Sequence, residues 1–209
     1  MNGIFITMEG PDGAGKTTQI NLLKDYLEER GYDTLITREP GGTAISEAVR
    51  EILLDRRYSE MSYTTEMLLY ASARAQLVDQ VIKPALAEGK AVIADRFVDS
   101  SAVYQGIGRG LGIDTVYEVN GYALGGLMPD LTILMDLPAE TGIARKKSQA
   151  ELDRMESETL DFHQRVAEGY RLLADRYSDR IKKVDATLPI EEIHAIITDS
   201  IEKLGREAT

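Results

Sequence analysis

The chain has 209 residues, of which 24 are Lys or Arg and 35 are Asp or Glu; its formal charge is −11 and it contains no cysteine. Disulfide scaffolds and cysteine-ligated zinc or iron–sulfur sites are thereby excluded, and with two histidines, His163 and His194, a histidine-built metal site is not expected. The acidic balance argues against nucleic acid as a partner, because a protein gripping many phosphates gathers positive charge; a few phosphates held locally remain compatible with it.

In chain order, an apolar run at 4–8 predicts a first strand. A helix follows over 15–29, with Ile20, Leu23 and Leu27 at helical spacing and a stop near Gly31. A second strand at 34–37 leads into the Pro/Gly loop REPGGT at 38–43 and then a helix carrying Arg50. The next helix spans 64–82 and is expected to end before Pro84, ahead of a strand at 91–94. Residues 106–112 (GIGRGLG) are expected to form a glycine-rich loop, and 131–136 a fourth strand. Residues 145–154 (RKKSQAELDR) start on a helix end and predict a mobile basic lid; a helix over 153–177, a strand at 181–184 and a helix over 190–204 complete the chain.

Short apolar runs alternating with amphipathic helices predict the α/β class, a five-stranded parallel sheet flanked by helices. With no internal repeat or low-complexity tract, residues 1–209 are expected to form a single domain. No run reaches the roughly 18–20 apolar residues of a membrane span, and the start lacks a basic, then apolar, leader. The expectation is a cytoplasmic protein with no membrane partner.

The strongest chemical signal is Gly10, Pro11, Asp12, Gly13, Ala14, Gly15, Lys16 and Thr17, with Thr18 next: the pattern G-x-x-x-x-G-K-[ST] between a strand and a helix. Glycines let such a loop curl its N–H groups around phosphate oxygens, and the helix N-terminus adds partial positive charge. Lys16 suits the outer phosphates and Thr17 a Mg²⁺ ion. The bland alternative is an ordinary glycine-rich turn. Asp95 ends a predicted parallel strand, where ligands bind in open α/β sheets, and so suits the same Mg²⁺; alone, a strand-end Asp95–Arg96 is more often a surface ion pair. Arg38, Arg50, Arg74 and Arg96 lie on loops or helices near strand ends, and guanidinium forks there could hold a second phosphate, although singly each reads as a solvated charge.

Residues 9–18 (EGPDGAGKTT), 37–43 (TREPGGT), 95–97 (DRF) and 100–110 (SSAVYQGIGRG) together resemble the bacterial thymidylate kinases, members of the P-loop nucleoside monophosphate kinase superfamily, with order and spacing kept from Ile4 to about Leu188. The resemblance implies a three-layer P-loop kinase fold with a small lid, and transfer of the γ-phosphoryl group of ATP to dTMP with Mg²⁺. It also implies a homodimer, formed through helices such as 64–82.

By resemblance, Gly10 to Thr18 bind ATP, Thr17 and Asp95 serve the metal, and Lys16, Asp95, Arg96, Arg145 and Arg154 are the catalytic set. Arg38 and Arg96 hold the dTMP phosphate and Asp12 the 3′-hydroxyl, with Glu39, Pro40 and Arg50 beside them. Tyr70 stacks on thymine where many relatives have Phe, and Arg74 reaches a base carbonyl. Ser100, Ser101 and Gln105 contact the base or phosphate side, and Tyr104 crowds the 2′ position. Ala73 stands where an acid is usual. Some relatives carry an arginine in the phosphate loop where this chain has Gly13, so the extra cation is expected from the lid: Arg145 first and Arg154 second, with Lys146 and Lys147 also available and Gln149 where some relatives place another arginine.

Two other readings compete. A GTP-binding switch needs [NT]-K-x-D, and the nearest string, KKVD at 182–185, lacks the leading residue; its D-x-x-G mark occurs only inside the phosphate loop, at Asp12 and Gly15. A kinase for another nucleoside monophosphate or for a deoxynucleoside is separated by acceptor preference. Both histidines fall in amphipathic helices and read as structural.

Overall fold

The five predicted strands, β1 (Ile4–Glu9), β2 (Thr34–Arg38), β3 (Ala91–Asp95), β4 (Leu131–Asp136) and β5 (Ile181–Asp185), pair side by side in the order β2-β3-β1-β4-β5, every pair parallel. The computed structural model describes residues 3–147 and 153–207. Alternate strand residues face opposite layers. Ile6, Met8, Ile93 and Ile133 meet Ile20, Leu23 and Leu27 of α1 (Lys16–Glu29) and Ile193, Ile197 and Ile201 of α9 (Ile190–Glu207). Phe5, Val92 and Ala94 point the other way, onto Leu77 of α3 (Tyr63–Leu77) and onto Val78 and Ile82 just beyond it. Phe162, Val166, Tyr170 and Leu173 of α8 (Leu160–Arg176) extend that second layer over Leu134 and Ile181. Each such fully buried side chain contributes about 1.5–3 kcal/mol, so the three layers hold one another in register.

The strand order also places the site. From β1 the chain crosses over β3 to reach β2, whereas from β3 it crosses over β1 to reach β4. The direction of winding therefore reverses between β1 and β3, and the crevice at their carboxyl ends is where an open α/β sheet receives a ligand. Met8 and Arg38 both lie opposite Asp95, so the loops after β1, β2 and β3 open at one level.

Five elements differ from the sequence expectation. The helix expected over 64–82 continues past Pro84: a π-helical turn, Val78–Ile82, joins α3 to α4 (Lys83–Ala87). Widening the turn relieves the clash a proline ring makes with the carbonyl four residues earlier. The expected loop 106–112 is helical at its start, where α5 (Val98–Ser101) runs into a π-helical segment, Ala102–Gly108. Its glycines serve close packing: a Cβ on Gly108 would lie 2.7 Å from the Phe162 ring. The helix expected over 153–177 begins only at Leu160, where Thr159 accepts a hydrogen bond from the Phe162 amide and caps it. Two further helices went unread, α6 (Ile113–Leu124) and α7 (Ala139–Lys147), although only the second one's end is visible in the basic run. The lid residues 148–152, including Gln149, lie outside the described residues.

Candidate active site

The phosphate loop curls where the sequence places it. Gly10, Gly13 and Gly15 have φ of 132°, 75° and 85°, backbone that L side chains rarely adopt. A Cβ on Gly13 would also lie 2.7 Å from the Gly142 carbonyl oxygen of α7, so this loop and α7 touch backbone to backbone. Gly15 starts α1 with no side-chain cap, leaving the first amides of the helix to face an anion. Lys16 is buried and its Nζ donates to the Gly10 and Pro11 carbonyls at 3.1 and 3.0 Å, held on its own loop. Burial, with the neighbouring Arg96 charge, pushes its ammonium down to about 8. Thr17 and Thr18 are exposed on the first turn.

Across the crevice, Asp95 ends β3 with its Oδ1 buried and without a hydrogen-bond partner. Arg96 follows at φ 69°, the one non-glycine residue with left-handed backbone among the described residues. That turn aims its guanidinium into the crevice: Nη2 donates to Asp12 Oδ1 at 2.8 Å, and Nη1 to the Tyr170 hydroxyl at 2.9 Å and to Ser100 Oγ at 3.3 Å. Behind these hydroxyls lies Glu9, whose carboxylate accepts from the Phe97 amide, Ser100 and Tyr170. Burial, with the nearby Asp99 charge, pushes Glu9 up to about 7.

The REPGGT loop supplies the next wall. Its last residue, Thr43, accepts from the Ser46 amide at 3.1 Å and caps α2 (Ala44–Leu54). One turn in, Glu47 reaches back to accept from the Gly42 amide at 2.8 Å, and its two oxygens share one donor, Arg38 Nη2, at 2.9 and 2.8 Å. Arg50 donates to the Pro40 carbonyl at 2.8 Å, and Glu39 is buried against Arg74. Arg74 is the largest fully buried side chain; it donates to Glu39, Asn120, Ser101 Oγ and the Phe97 carbonyl. Most of its donors are thus committed inside the protein, and it lines the cleft between Tyr70 and Ser101.

The two lid cations part company. Arg145, on α7, donates to the Gly13 carbonyl at 3.1 Å and so stands at the phosphate loop. Arg154 does not: it donates to the Leu53 carbonyl at 2.7 Å and to Glu66 at 2.7 Å, with its Nη2 buried and unpartnered. Glu66, fully buried on α3, also accepts from Gln105 and Arg109. Burial opposes its ionisation, but donation from Arg109 and Gln105 and the Arg109 and Arg154 charges hold its carboxyl below the ordinary range.

One cleft of about 430 Å³ joins these parts: the phosphate loop from Asp12 to Thr18, then Arg38 and Pro40, then Tyr70, Arg74, Ser101, Tyr104 and Gln105. Of the residues expected at the site, Gly10, Pro11 and Arg145 border the loop from outside this lining, and Arg154 lies apart from it. The sequence reading missed Glu9, Glu66, Asn120 and Tyr170, which hold the lining in place, and Asp153, Met155 and Glu156, which line the cleft just after the lid. Glu9 and Glu66 were findable as acids at the edges of apolar runs, after Met8 and before Met67.

A parallel sheet with a phosphate loop at its winding reversal, facing a second arginine-lined pocket large enough for a nucleotide, defines a P-loop nucleoside monophosphate kinase. The family model described as thymidylate kinase matches residues 8–197. A thymidylate kinase of Geobacillus thermodenitrificans (strain NG80-2) is 49% identical over 195 residues, which cover 92% of this chain and 87% of that one. One from Thermoanaerobacter sp. (strain X514) is 50% identical over 203 residues, covering 97% and 99%. The crystal structure of thymidylate kinase from Ehrlichia chaffeensis superposes with a TM-score of 0.78 at 30% identity, covering 97% of this chain and 99% of that one. The chain belongs to the thymidylate kinase family, and it phosphorylates dTMP with ATP as the donor.

Proposed function

We propose that the cleft divides this reaction between two subsites meeting at Arg96: the phosphate loop holds ATP, and the pocket from Arg38 to Gln105 holds dTMP. The observation that carries the reading is the single cleft in which Lys16, Asp95 and Arg96 stand between a phosphate-binding loop and the aromatic pair Tyr70 and Tyr104. In the free chain Lys16 rests on two loop carbonyls, contacts that a β- or γ-phosphate oxygen replaces with a stronger, charge-assisted partner. Arg96 and Arg38 hold the acceptor phosphate, with Asp12 placed by Arg96 to meet the sugar 3′-hydroxyl. Tyr70 offers a face for the base, Ser101 and Gln105 offer polar edges, Arg74 braces the floor, and Tyr104 restricts the 2′ side. Arg145 is the catalytic cation of the lid; Arg154 takes the second place, because its guanidinium is engaged by Glu66.

Mg²⁺ suits the donor set. Asp95 presents a buried carboxylate oxygen with no protein partner, Thr17 an exposed hydroxyl, and Mg²⁺ is ordinarily held by one or two such groups together with substrate phosphates. Among the described residues no cluster of three or more acids or histidines could hold a metal alone, in keeping with a cation carried in by the nucleotide. When bound, it neutralises charge on the transferred group. The chain's own work is alignment: a dTMP phosphate oxygen attacks the γ-phosphorus in line, the bond to the β-bridging oxygen breaks, and dTDP and ADP leave. The nucleophile is already anionic, so no general base is required.

Among the described residues no helix is long and apolar enough to cross a membrane. A homodimer is supported by the exposed apolar side chains Leu68 of α3 and Tyr122 of α6, and sedimentation equilibrium tests it. Steady-state assay with ATP, Mg²⁺ and a panel of nucleoside monophosphates, with thymidine as control, tests the whole assignment. A preference for dTMP is expected, and equal turnover of all acceptors refutes the pocket as drawn.

A further inference from the structure

We propose that Glu9 is a positioning residue for the acceptor phosphate: through the hydroxyls of Ser100 and Tyr170 it fixes the guanidinium of Arg96. The proposal rests on the assignment of Arg96 to the dTMP phosphate. Glu9 ends β1, is 1% exposed, and has no part in the transfer chemistry. An acid buried at that depth persists only when its oxygens are fully used.

Every partner of this carboxylate leads to Arg96. Oε1 accepts from the Phe97 amide at 2.7 Å, the peptide that follows Arg96 and fixes its left-handed turn. Oε2 accepts from Ser100 Oγ and, at 3.1 Å, from the Tyr170 hydroxyl. The two hydroxyls are 2.7 Å apart, and both accept from Arg96 Nη1. A hydroxyl has one proton to give and two lone pairs to offer. An ionised Glu9 draws both protons toward itself, directly or through the neighbouring hydroxyl, and the lone pairs left over face the guanidinium. Donation then runs one way, from Arg96 through two hydroxyls to Glu9. With Asp12 holding Nη2, the fork is fixed at both ends before any substrate arrives.

An amide in place of the acid breaks this direction. Glu9→Gln keeps the shape but turns one acceptor into a donor, which drives a hydroxyl proton toward the guanidinium. The measurement compares dTMP with thymidine, the same ligand without its phosphate. For Glu9→Gln, assayed above neutral pH where Glu9 is ionised, KM for dTMP is expected to rise about tenfold or more, the scale of losing one charge-assisted hydrogen bond. The inhibition constant of thymidine and KM for ATP should stay within about twofold, since thymidine lacks the phosphate, its sugar partner Asp12 keeps the Nη2 contact, and ATP is held by the phosphate loop. Tyr170→Phe should show a smaller rise confined to dTMP, and the double variant should be little worse than Glu9→Gln alone, because both changes cut one chain.

An unchanged KM for dTMP in Glu9→Gln overturns the proposal, as does a loss shared equally by dTMP, thymidine and ATP, which marks general loosening. Should Glu9→Gln fail to fold, Tyr170→Phe decides: a rise limited to dTMP supports the relay, and no rise refutes it. Arg96→Lys separates the two levels. If it leaves KM for dTMP unchanged, the Arg96 assignment itself fails; if it raises KM while Glu9→Gln does not, only the role of Glu9 falls.

Discussion

Gly13→Ala tests the contact between the phosphate loop and the lid helix. Gly13 sits at φ 75°, where a side chain costs about 1–2 kcal/mol. The added Cβ would lie 2.7 Å from the Gly142 carbonyl oxygen and 3.1 Å from Arg145 Cβ, against an ordinary limit of 3.4 Å. The obstacle is backbone, so α7 must retreat as a unit, and such overpacking costs a further ~1–3 kcal/mol. The total is about 2–5 kcal/mol; at roughly 2–4 °C per kcal/mol for a chain of this size, the melting temperature should fall by at least about 4 °C. Retreat of α7 also breaks the hydrogen bond from Arg145 to the Gly13 carbonyl, so kcat should drop while KM for dTMP holds. Calorimetry gives the first number and steady-state kinetics the second. If Arg145 is the displaced cation, Arg145→Ala should show a similar kcat loss, and the double variant should be no slower than the worse single one. A melting point within about 1 °C of the parent, with kcat within about twofold, refutes the close contact and the role built on it.

Lys16→Ala should lower kcat by orders of magnitude with the fold retained, and near-normal turnover would remove the loop from the phosphate site. Because Lys16 is pushed down to about 8 from 10.5, it is largely neutral in the free chain between those values and becomes protonated against a triphosphate. ATP binding at pH 9 should therefore take up a fraction of a proton; calorimetry in buffers of different ionisation enthalpy reads it, and heats independent of buffer refute it. In the free protein the same shift means the unfolded chain binds more protons in that window, so this group's contribution makes stability rise with pH there. Arg74→Ala strands the buried Glu39 carboxylate and should cost about 3–5 kcal/mol in urea unfolding, partly recovered by adding Glu39→Gln; a loss under about 1 kcal/mol refutes the buried pair as a brace. Arg38→Ala should raise KM for dTMP with kcat little changed, and an unaltered KM would return Arg38 to a surface pair with Glu47.

The sheet was legible because each strand is a short apolar run bounded by turn residues, and the phosphate loop because two glycines, a lysine and a threonine at fixed spacing have few other uses. What stayed hidden depends on contacts distant in sequence. Gly108 reads as loop in isolation, and only the Phe162 ring, brought over it by α8, makes it a packing position. Pro84 reads as a stop, and only the wide turn before it lets the helix pass. Arg154 reads as a lid cation like Arg145, yet Glu66 lies 88 positions away in sequence and draws it to the far wall. Arg74 reads as a ligand contact, whereas Glu39, Asn120 and Ser101 make it first a structural hub.

The same pairings explain how a chain of charge −11 handles two anionic nucleotides. Arg96 faces Asp12, Arg38 faces Glu47, Arg74 faces Glu39, and Arg154 faces Glu66. These four arginines thus each have a carboxylate partner in the free protein, which reduces the field of unpaired positive charge that would attract any polyanion. On the proposed assignment, substrate entry is an exchange of partners. For the exposed Arg38 pair the carboxylate contact is weak, and a dianionic phosphate displaces it readily. For the buried Arg74 pair the exchange would leave Glu39 stranded, so that arginine keeps its partner and shapes the pocket instead. On the proposed assignment, burial therefore separates Arg38, which meets the acceptor phosphate, from Arg74, which builds the wall.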